Sequence, residues 1–228
     1  MTSKIRIGCL HAHHSNIAYI DKALALLEAE PLHFVDPGLV HRIASDPVFT
    51  ADHASQKIRE QLAWIAGCNT DALLITCTNY IAAMKETDSP PGLPVVKIDE
   101  PFFAELCAND TPKRLVFTNP ATVDGTLARL AAFAKTANWQ PHIATEVIPD
   151  SFELVMQGKQ QAYRDVVREH LIDLQQRLGG REQIWAAQLS MVDAAHEAVQ
   201  KTGQKIGDPL NPLARSLEWL VSELQARL

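Results

Sequence analysis

The amino-acid sequence predicts an α/β protein built as two Rossmann-like lobes. Two observations carry this. Short apolar runs alternate with longer stretches whose apolar residues recur at helical spacing, the pattern of parallel strands joined by helical crossovers. The alternation begins again after Asp99-Glu100-Pro101, so each half reads strand, helix, strand, helix, strand, helix. That is a duplicated architecture rather than a short-period repeat. Residues 1–99 are expected to form the first lobe and residues 100–207 the second, with an amphipathic helix in 208–228 packing back on the first. Lobes of this kind leave a cleft between their strand ends.

Ile5–Leu10 reads as the first strand and runs into the polar cluster His11-Ala12-His13-His14-Ser15-Asn16. Ile17–Ala29 has helical periodicity, with Ser15 or Asn16 as N-cap. Leu32–Val35 is a second strand, stopped by the turn signal Asp36-Pro37-Gly38. A long helix over residues 51–66 carries Ile58, Leu62 and Ile65 on one face. Trp64 and, near the other end of the chain, Trp219 are expected in the core. Ala72–Ile75 is an unbroken apolar run and reads as a strand buried on both faces. A short helix follows it, and Pro94–Ile98 is a fourth strand. In the second half the strands are Arg114–Thr118, His142–Val147 and Ile184–Gln188. The helices are Ala121–Ala137, a long stretch Phe152–Leu178 broken near Gly158, and Val192–Thr202. The charged residues of Gln157–Arg181 read as a solvated helix face. The last helix, Pro212–Leu228, has Leu213, Leu217, Leu220 and Leu224 in its stripe.

Composition narrows the function classes. A hydrophobic content of 46% supplies a substantial core. A net charge of −6 and the lack of any Lys/Arg cluster interleaved with aromatics argue against a nucleic-acid surface. No apolar stretch reaches the length of a membrane helix. The start, Met1-Thr2-Ser3-Lys4, leads into a strand pattern without a signal-peptide core. The four cysteines, at positions 9, 68, 77 and 107, form neither a C-x-x-C pair nor a disulfide framework, and a cytoplasmic location is expected.

In open α/β sheets, ligands bind outside the carboxyl ends of the strands. Cys77, Thr78 and Asn79 stand at that edge, whereas Cys68 lies before the strand, at the opposite edge. A thiol flanked by hydroxyl and amide groups is a candidate for proton transfer or nucleophilic attack. The N–H groups of the helix that follows are expected to lower its pKa. The plainer alternative is a small buried hydrophobe.

With the strand ends placed, the chain resembles the aspartate/glutamate racemase superfamily, which includes hydantoin racemases, maleate isomerase and arylmalonate decarboxylase. Asp71–Tyr80 (D-A-L-L-I-T-C-T-N-Y) is similar to the strand ending in the first catalytic cysteine, with Cys-Thr-Asn in place of Cys-Asn-Thr. Leu93–Phe102 resembles the domain-crossing strand, and Arg114–Gly125 the strand and turn that open the second lobe, with Thr118 and Thr122 at its threonine positions. Gly207–Trp219 resembles the returning segment. The resemblance implies pseudo-two-fold symmetry, no cofactor, a small carboxylate substrate, a possible homodimer, and α-proton exchange between two cysteines. It further implies that Thr78, Asn79, Thr118, Asn119 and Thr122 orient substrate oxygens, with His11, Ser15 and Asn16 at the first strand end.

The sequence departs from that pattern where the second cysteine belongs. Ile184–Met191 reads I-W-A-A-Q-L-S-M, so Gln188 or Ser190 takes the second catalytic position. Glutamine transfers no proton, and a serine hydroxyl is a poor acid without an adjacent base. Three chemistries fit one thiol: one-sided protonation as in a decarboxylase, covalent addition as in a cis-trans isomerase, or racemisation with His11, His13 or His14 as second acid. A non-catalytic carboxylate-binding protein is the competing class.

The H-x-H at the first strand end also suits a metal-dependent hydrolase. Such a site needs further ligands at later strand ends, which carry Asp36, Cys77 and Asp99, and no metal is expected. A helix-capping cluster is the structural alternative, with substrate contact or proton relay the functional one. Tyr80 and Tyr163 read as packing residues, and Asp208 and Asn211 as turn formers.

Overall fold

The computed structural model describes residues 4–140 and 142–227, with only the backbone at Glu86. The Met1-Thr2-Ser3 start and Leu228, at the end of the expected last helix, lie outside the described residues. The chain divides into two compact α/β units. One comprises the residues up to Pro101 together with those from Leu213 on, and the other is Phe102–Pro212.

The first unit runs β1 (Ile5–His11), α1 (Ile17–Leu24), β2 (Ala29–Val35), α2 (Gly38–Ser45), α3 (Ala51–Ala66), β3 (Ala72–Ile75), α4 (Thr78–Ala83) and β4 (Val95–Lys97). Helix α5 (Asp99–Leu106) carries the chain past the division. The strands form a parallel sheet in the order β2-β1-β3-β4. Leu10 pairs with Ile75, and Leu73 with Val95. All four residues of β3 are fully buried, as the unbroken apolar run requires. Each of its Leu and Ile side chains contributes about 1.5–3 kcal/mol by leaving water. Ile58, Leu62 and Ile65 of α3 face inward. They come close because β1 has a glycine there: a Cβ on Gly8 would stand 2.3 Å from Cγ2 of Ile65.

The second unit repeats the plan with β5 (Lys113–Phe117), α6 (Val123–Thr136), β6 (Ile143–Val147), α7 (Ser151–Met156), α8 (Gln160–Leu178), β7 (Gln183–Ala186) and α9 (Val192–Thr202). Its parallel sheet has the order β6-β5-β7, so in both units the first strand lies between the next two. Alternation along β5 splits its core. Val116 belongs to a cluster with Tyr163, Val167, Leu171 and Ile184. Leu115 and Phe117 belong to another with Phe102, Phe103 and Leu130. Gly158, at φ 71°, makes the break between α7 and α8 that a side chain would resist. Helix α10 (Leu210–Gln225) closes the chain, with Leu213, Leu217, Leu220 and Val221 buried. No helix among the described residues is long and apolar enough to cross a membrane.

Several expectations are corrected. Helix α1 stops at Leu24 rather than Ala29, because Ala29, Glu30 and Pro31 pair in register with Ile5, Arg6 and Ile7. Pro31 is tolerated because β2 is an edge strand. Helix α2 was not expected; Asp36 Oδ1 accepts from the Gly38 N–H at 2.7 Å and opens it. Its C-terminal end is held by the Arg42–Asp46 ion pair and by Arg42 stacked over Phe49. Trp64 and Trp219 are not core residues; they are 74% and 65% exposed, on helix faces turned away from the buried stripes.

Candidate functional site

Cys77 lies two residues beyond β3, in extended conformation (φ −112°, ψ 117°), as the N-cap of α4. Its side chain makes no capping hydrogen bond; the nearby backbone N–H groups are those of Tyr80 and Asn79. They act to lower its pKa, but burial prevails and the thiol is raised above its ordinary value. The expected lowering is therefore corrected: a helix of six residues brings N–H dipoles but not enough to offset desolvation. Thr78 and Asn79, the first residues of α4, are half-buried beside it. Tyr80 is fully buried, and its hydroxyl donates to the Asp36 carbonyl at 2.6 Å, fixing α4 to the turn after β2. The other cysteines stand elsewhere. Burial, reinforced by the Asp21 charge, pushes Cys9 in β1 up to about 12. Cys68 follows α3 with its thiol on the Trp64 carbonyl, and Cys107 follows α5.

A hydrogen-bonded chain lies behind this strand edge. Asp21 accepts from His33 Nε2 at 2.9 Å, which leaves His33 Nδ1 to accept from His11 Nε2, also at 2.9 Å. His11 Nδ1 then accepts the Thr76 hydroxyl at 2.8 Å, and Thr76 Oγ1 accepts from the Asn16 amide at 3.1 Å. Thr76 is the residue before Cys77. Burial, then the neighbouring His33, lower the His11 pKa to about 4, so the ring is neutral at pH 7. His11 is wholly enclosed with both nitrogens engaged, which corrects its placement among substrate contacts. Asn16 stands at the N-cap of α1, one of the two residues expected there, though its side chain makes no capping bond. His13 caps the turn His14–Asn16 by accepting from the Ser15 N–H and hydroxyl, while Asn16 turns its amide to Thr76. Burial and the nearby His14 lower the His13 pKa. His11 and His13 thus diverge, and among the described residues no three His, Cys, Asp or Glu side chains are grouped to hold a metal ion.

In the second unit Gln188 occupies the place that Cys77 has in the first. It lies two residues beyond β7, extended (φ −133°, ψ 143°), and caps the turn Leu189–Met191. Ser190 stands inside that turn. The Thr118 N–H (2.6 Å), the Thr118 hydroxyl (2.9 Å) and the Asn119 N–H (3.1 Å) all donate to Gln188 Oε1. The donors expected to hold a substrate carboxylate are therefore already engaged by the chain itself. Asn119 Oδ1 accepts from the Ala121 N–H, and the Thr122 hydroxyl donates to the Asn119 carbonyl. The Tyr163 hydroxyl joins Thr118 Oγ1 at 3.2 Å and Ser190 Oγ at 2.8 Å. Tyr163, expected chiefly as a packing residue, is buried and also links this polar cluster. Asp208 does act in a turn, accepting from the N–H groups of Leu210 and Asn211 at the start of α10.

Sequence reasoning missed Thr76, His33 and Asp21 as members of the first cluster. Thr76 lies inside the strand-end run and was open to notice, whereas His33 and Asp21 are joined to it only by folding. A cavity of about 530 Å³ opens between α2 and α3, bounded by Asp36, Arg42, Phe49, His53, Lys57 and Glu60. Asp36 is the strand-end residue on its wall; Cys77, Thr118 and Gln188 do not line it.

Two parallel sheets whose strand ends lead into short turns make a duplicated α/β fold. The chain is similar to the aspartate racemase of Picrophilus torridus, with a TM-score of 0.69 and 13% identity over 96% of this chain and 94% of that one. It is similar to the glutamate racemase from Francisella tularensis subsp. tularensis SCHU S4, solved in complex with D-glutamate (TM-score 0.67, 13% identity, 97% and 82% covered). The allantoin racemase from Klebsiella pneumoniae is also similar (TM-score 0.63, 17% identity, 96% and 88% covered). No family model matches the chain, and no curated protein is significantly similar to it. The fold is that of the aspartate, glutamate and allantoin racemases, as the strand-end motifs implied.

Proposed function

We propose that this chain is an isomerase-like enzyme that moves a proton at the carbon next to the carboxylate of a small acid, with Cys77 as its acid/base. The observation that carries this is the placement of Cys77 at a strand carboxyl end, as a helix N-cap beside the backbone N–H groups of Tyr80 and Asn79, in a racemase fold. Those N–H groups stabilise the thiolate once it forms, and burial keeps the resting group a thiol. The first act of a resting thiol is to give a proton. After loss of carbon dioxide the broken C–C bond leaves an enolate, and Cys77 gives it a proton as S–H breaks and C–H forms; the thiolate recovers its proton from solvent. For exchange on an intact acid the thiol first loses its proton to solvent, the thiolate takes the α-proton as C–H breaks, and the thiol then returns a proton to the enolate. No cofactor enters this scheme.

One observation favours a second reading within the same chemistry. Gln188, at the position matching Cys77, has no proton to give at ordinary pH. One-sided protonation, as after loss of carbon dioxide from a substituted malonate, needs only the single thiol.

Exchange of the α-proton in deuterated water tests both readings. A panel of amino acids, hydantoins, hydroxy acids and substituted malonates is followed by NMR with the wild-type protein, Cys77→Ala and Cys77→Ser. Exchange or decarboxylation present in the wild type and lost in both variants is the expected result, and the handedness of the product separates racemisation from one-sided delivery. Turnover that survives in Cys77→Ala removes the thiol from the mechanism. Tight binding without any exchange favours a carboxylate-binding protein.

A further inference from the structure

The Gln188 side chain fills a receptor made by its own chain. Two of the three donors on Oε1 are consecutive backbone N–H groups, of Thr118 and Asn119. An N–H donor needs an acceptor, so the atom between them is the amide oxygen and the orientation of the amide is fixed. The hydroxyl chain agrees with this. Thr118 donates to Gln188, so its oxygen accepts from Tyr163, whose own oxygen accepts from Ser190. Three donors within 3.1 Å of one oxygen are a demanding set for a neutral amide and an ordinary one for a carboxylate. Consecutive backbone N–H groups turned to one point are also a common anion-binding concavity. Nε2 makes a long contact, 3.4 Å, with Thr122 Oγ1.

We propose that Gln188 is a built-in ligand: its carbonyl keeps the Thr118–Asn119 receptor filled, and the second unit meets its substrate with neutral amide N–H donors instead of an open carboxylate pocket. A substrate served by this unit presents an uncharged acceptor there, such as an amide or ureide carbonyl, and brings its carboxylate to other donors. That substrate class rests on the carboxylate reading proposed above; the filled receptor does not.

The test is an amide NMR titration of the full chain with acetate as probe. In the wild type, the Thr118 and Asn119 amide resonances stay in place. In Gln188→Ala both move downfield and saturate, with acetate bound roughly tenfold or more tighter than by the wild type. In Gln188→Glu both resonances move downfield as the new carboxyl ionises, and acetate then has no further effect on them. Wild-type amides that respond like those of Gln188→Ala would overturn the proposal. So would a folded Gln188→Ala that ignores acetate. If Gln188→Ala does not fold, Gln188→Glu decides alone, since amides that fail to follow its ionisation rule the receptor out. None of these readings depends on Cys77, so a negative exchange assay and a negative titration point to different faults.

Discussion

Replacing His11 with asparagine should flatten the acid limb of the stability curve. In the folded chain the His11 imidazole is enclosed and neutral, between the Thr76 hydroxyl and His33. Burial first, then His33, lower its pKa from 6.5 to about 4, with Asp21 opposing. The unfolded chain therefore takes up a proton as pH falls through 6.5, whereas the folded chain does so only near 4. Above that window neither state is protonated and the group adds nothing. Within it the unfolded state binds more protons, so stability falls with falling pH. At about 1.4 kcal/mol per pH unit the loss reaches about 3 kcal/mol by pH 4 and then stops. His11→Asn keeps an acceptor for Thr76 but leaves His33 Nδ1 without its donor, a cost of about 1–3 kcal/mol at every pH. Urea unfolding of both proteins, from about pH 7 to about pH 4, reads the difference between the curves. The wild type should lose about 3 kcal/mol more than the variant across the window. Parallel curves would refute the argument, as would a His11 imidazole resonance in folded wild type that titrates near 6.5.

Two shorter predictions join the exchange and titration tests. Because burial outweighs the two N–H groups at Cys77, alkylation by iodoacetamide should keep accelerating with pH past the point where a free thiol levels off, about pH 9. Mass spectrometry of the Cys77 peptide follows it, and a plateau at or below neutral pH would show a stabilised thiolate instead. Gly8→Ala should destabilise the chain by about 1–3 kcal/mol, since the new methyl meets Cγ2 of Ile65. Ile65→Ala should cost less in that background than alone. Thermal unfolding that shows no loss in the single variant would mean that α3 is not packed on β1 as described.

The parts of the fold legible in the sequence are those in which the burial pattern alone decides. Residues Ala72–Ile75 and 51–66 have the ends read from the chain because each is an apolar run or stripe with polar residues on both sides. The boundary between α1 and β2 was not legible. Ala29-Glu30-Pro31 looks like a helix end followed by a breaker, and only the ladder to β1 makes it a strand. Trp64 misleads for a different reason. It is two positions from Leu62, about 200° around the helix, so its size argued for the core while its position argued against.

Strand-end positions were legible at the site, and bonding partners were not. The pairs that organise it, His11 with Thr76 and Thr118 with Gln188, are separated by 65 and 70 residues. No local spacing encodes them. The donors around position 188 give a reason for a glutamine there. Where the matching position gives up its acid, the Thr118 and Asn119 donors still need an acceptor, and each left buried and unpaired costs about 1–3 kcal/mol. Alanine would leave all three donors open, and the serine two residues later is bonded to Tyr163. A glutamine amide reaches the donors, satisfies them without charge, and needs no proton. On this argument Gln188 stands first for the stability of the second unit's strand end.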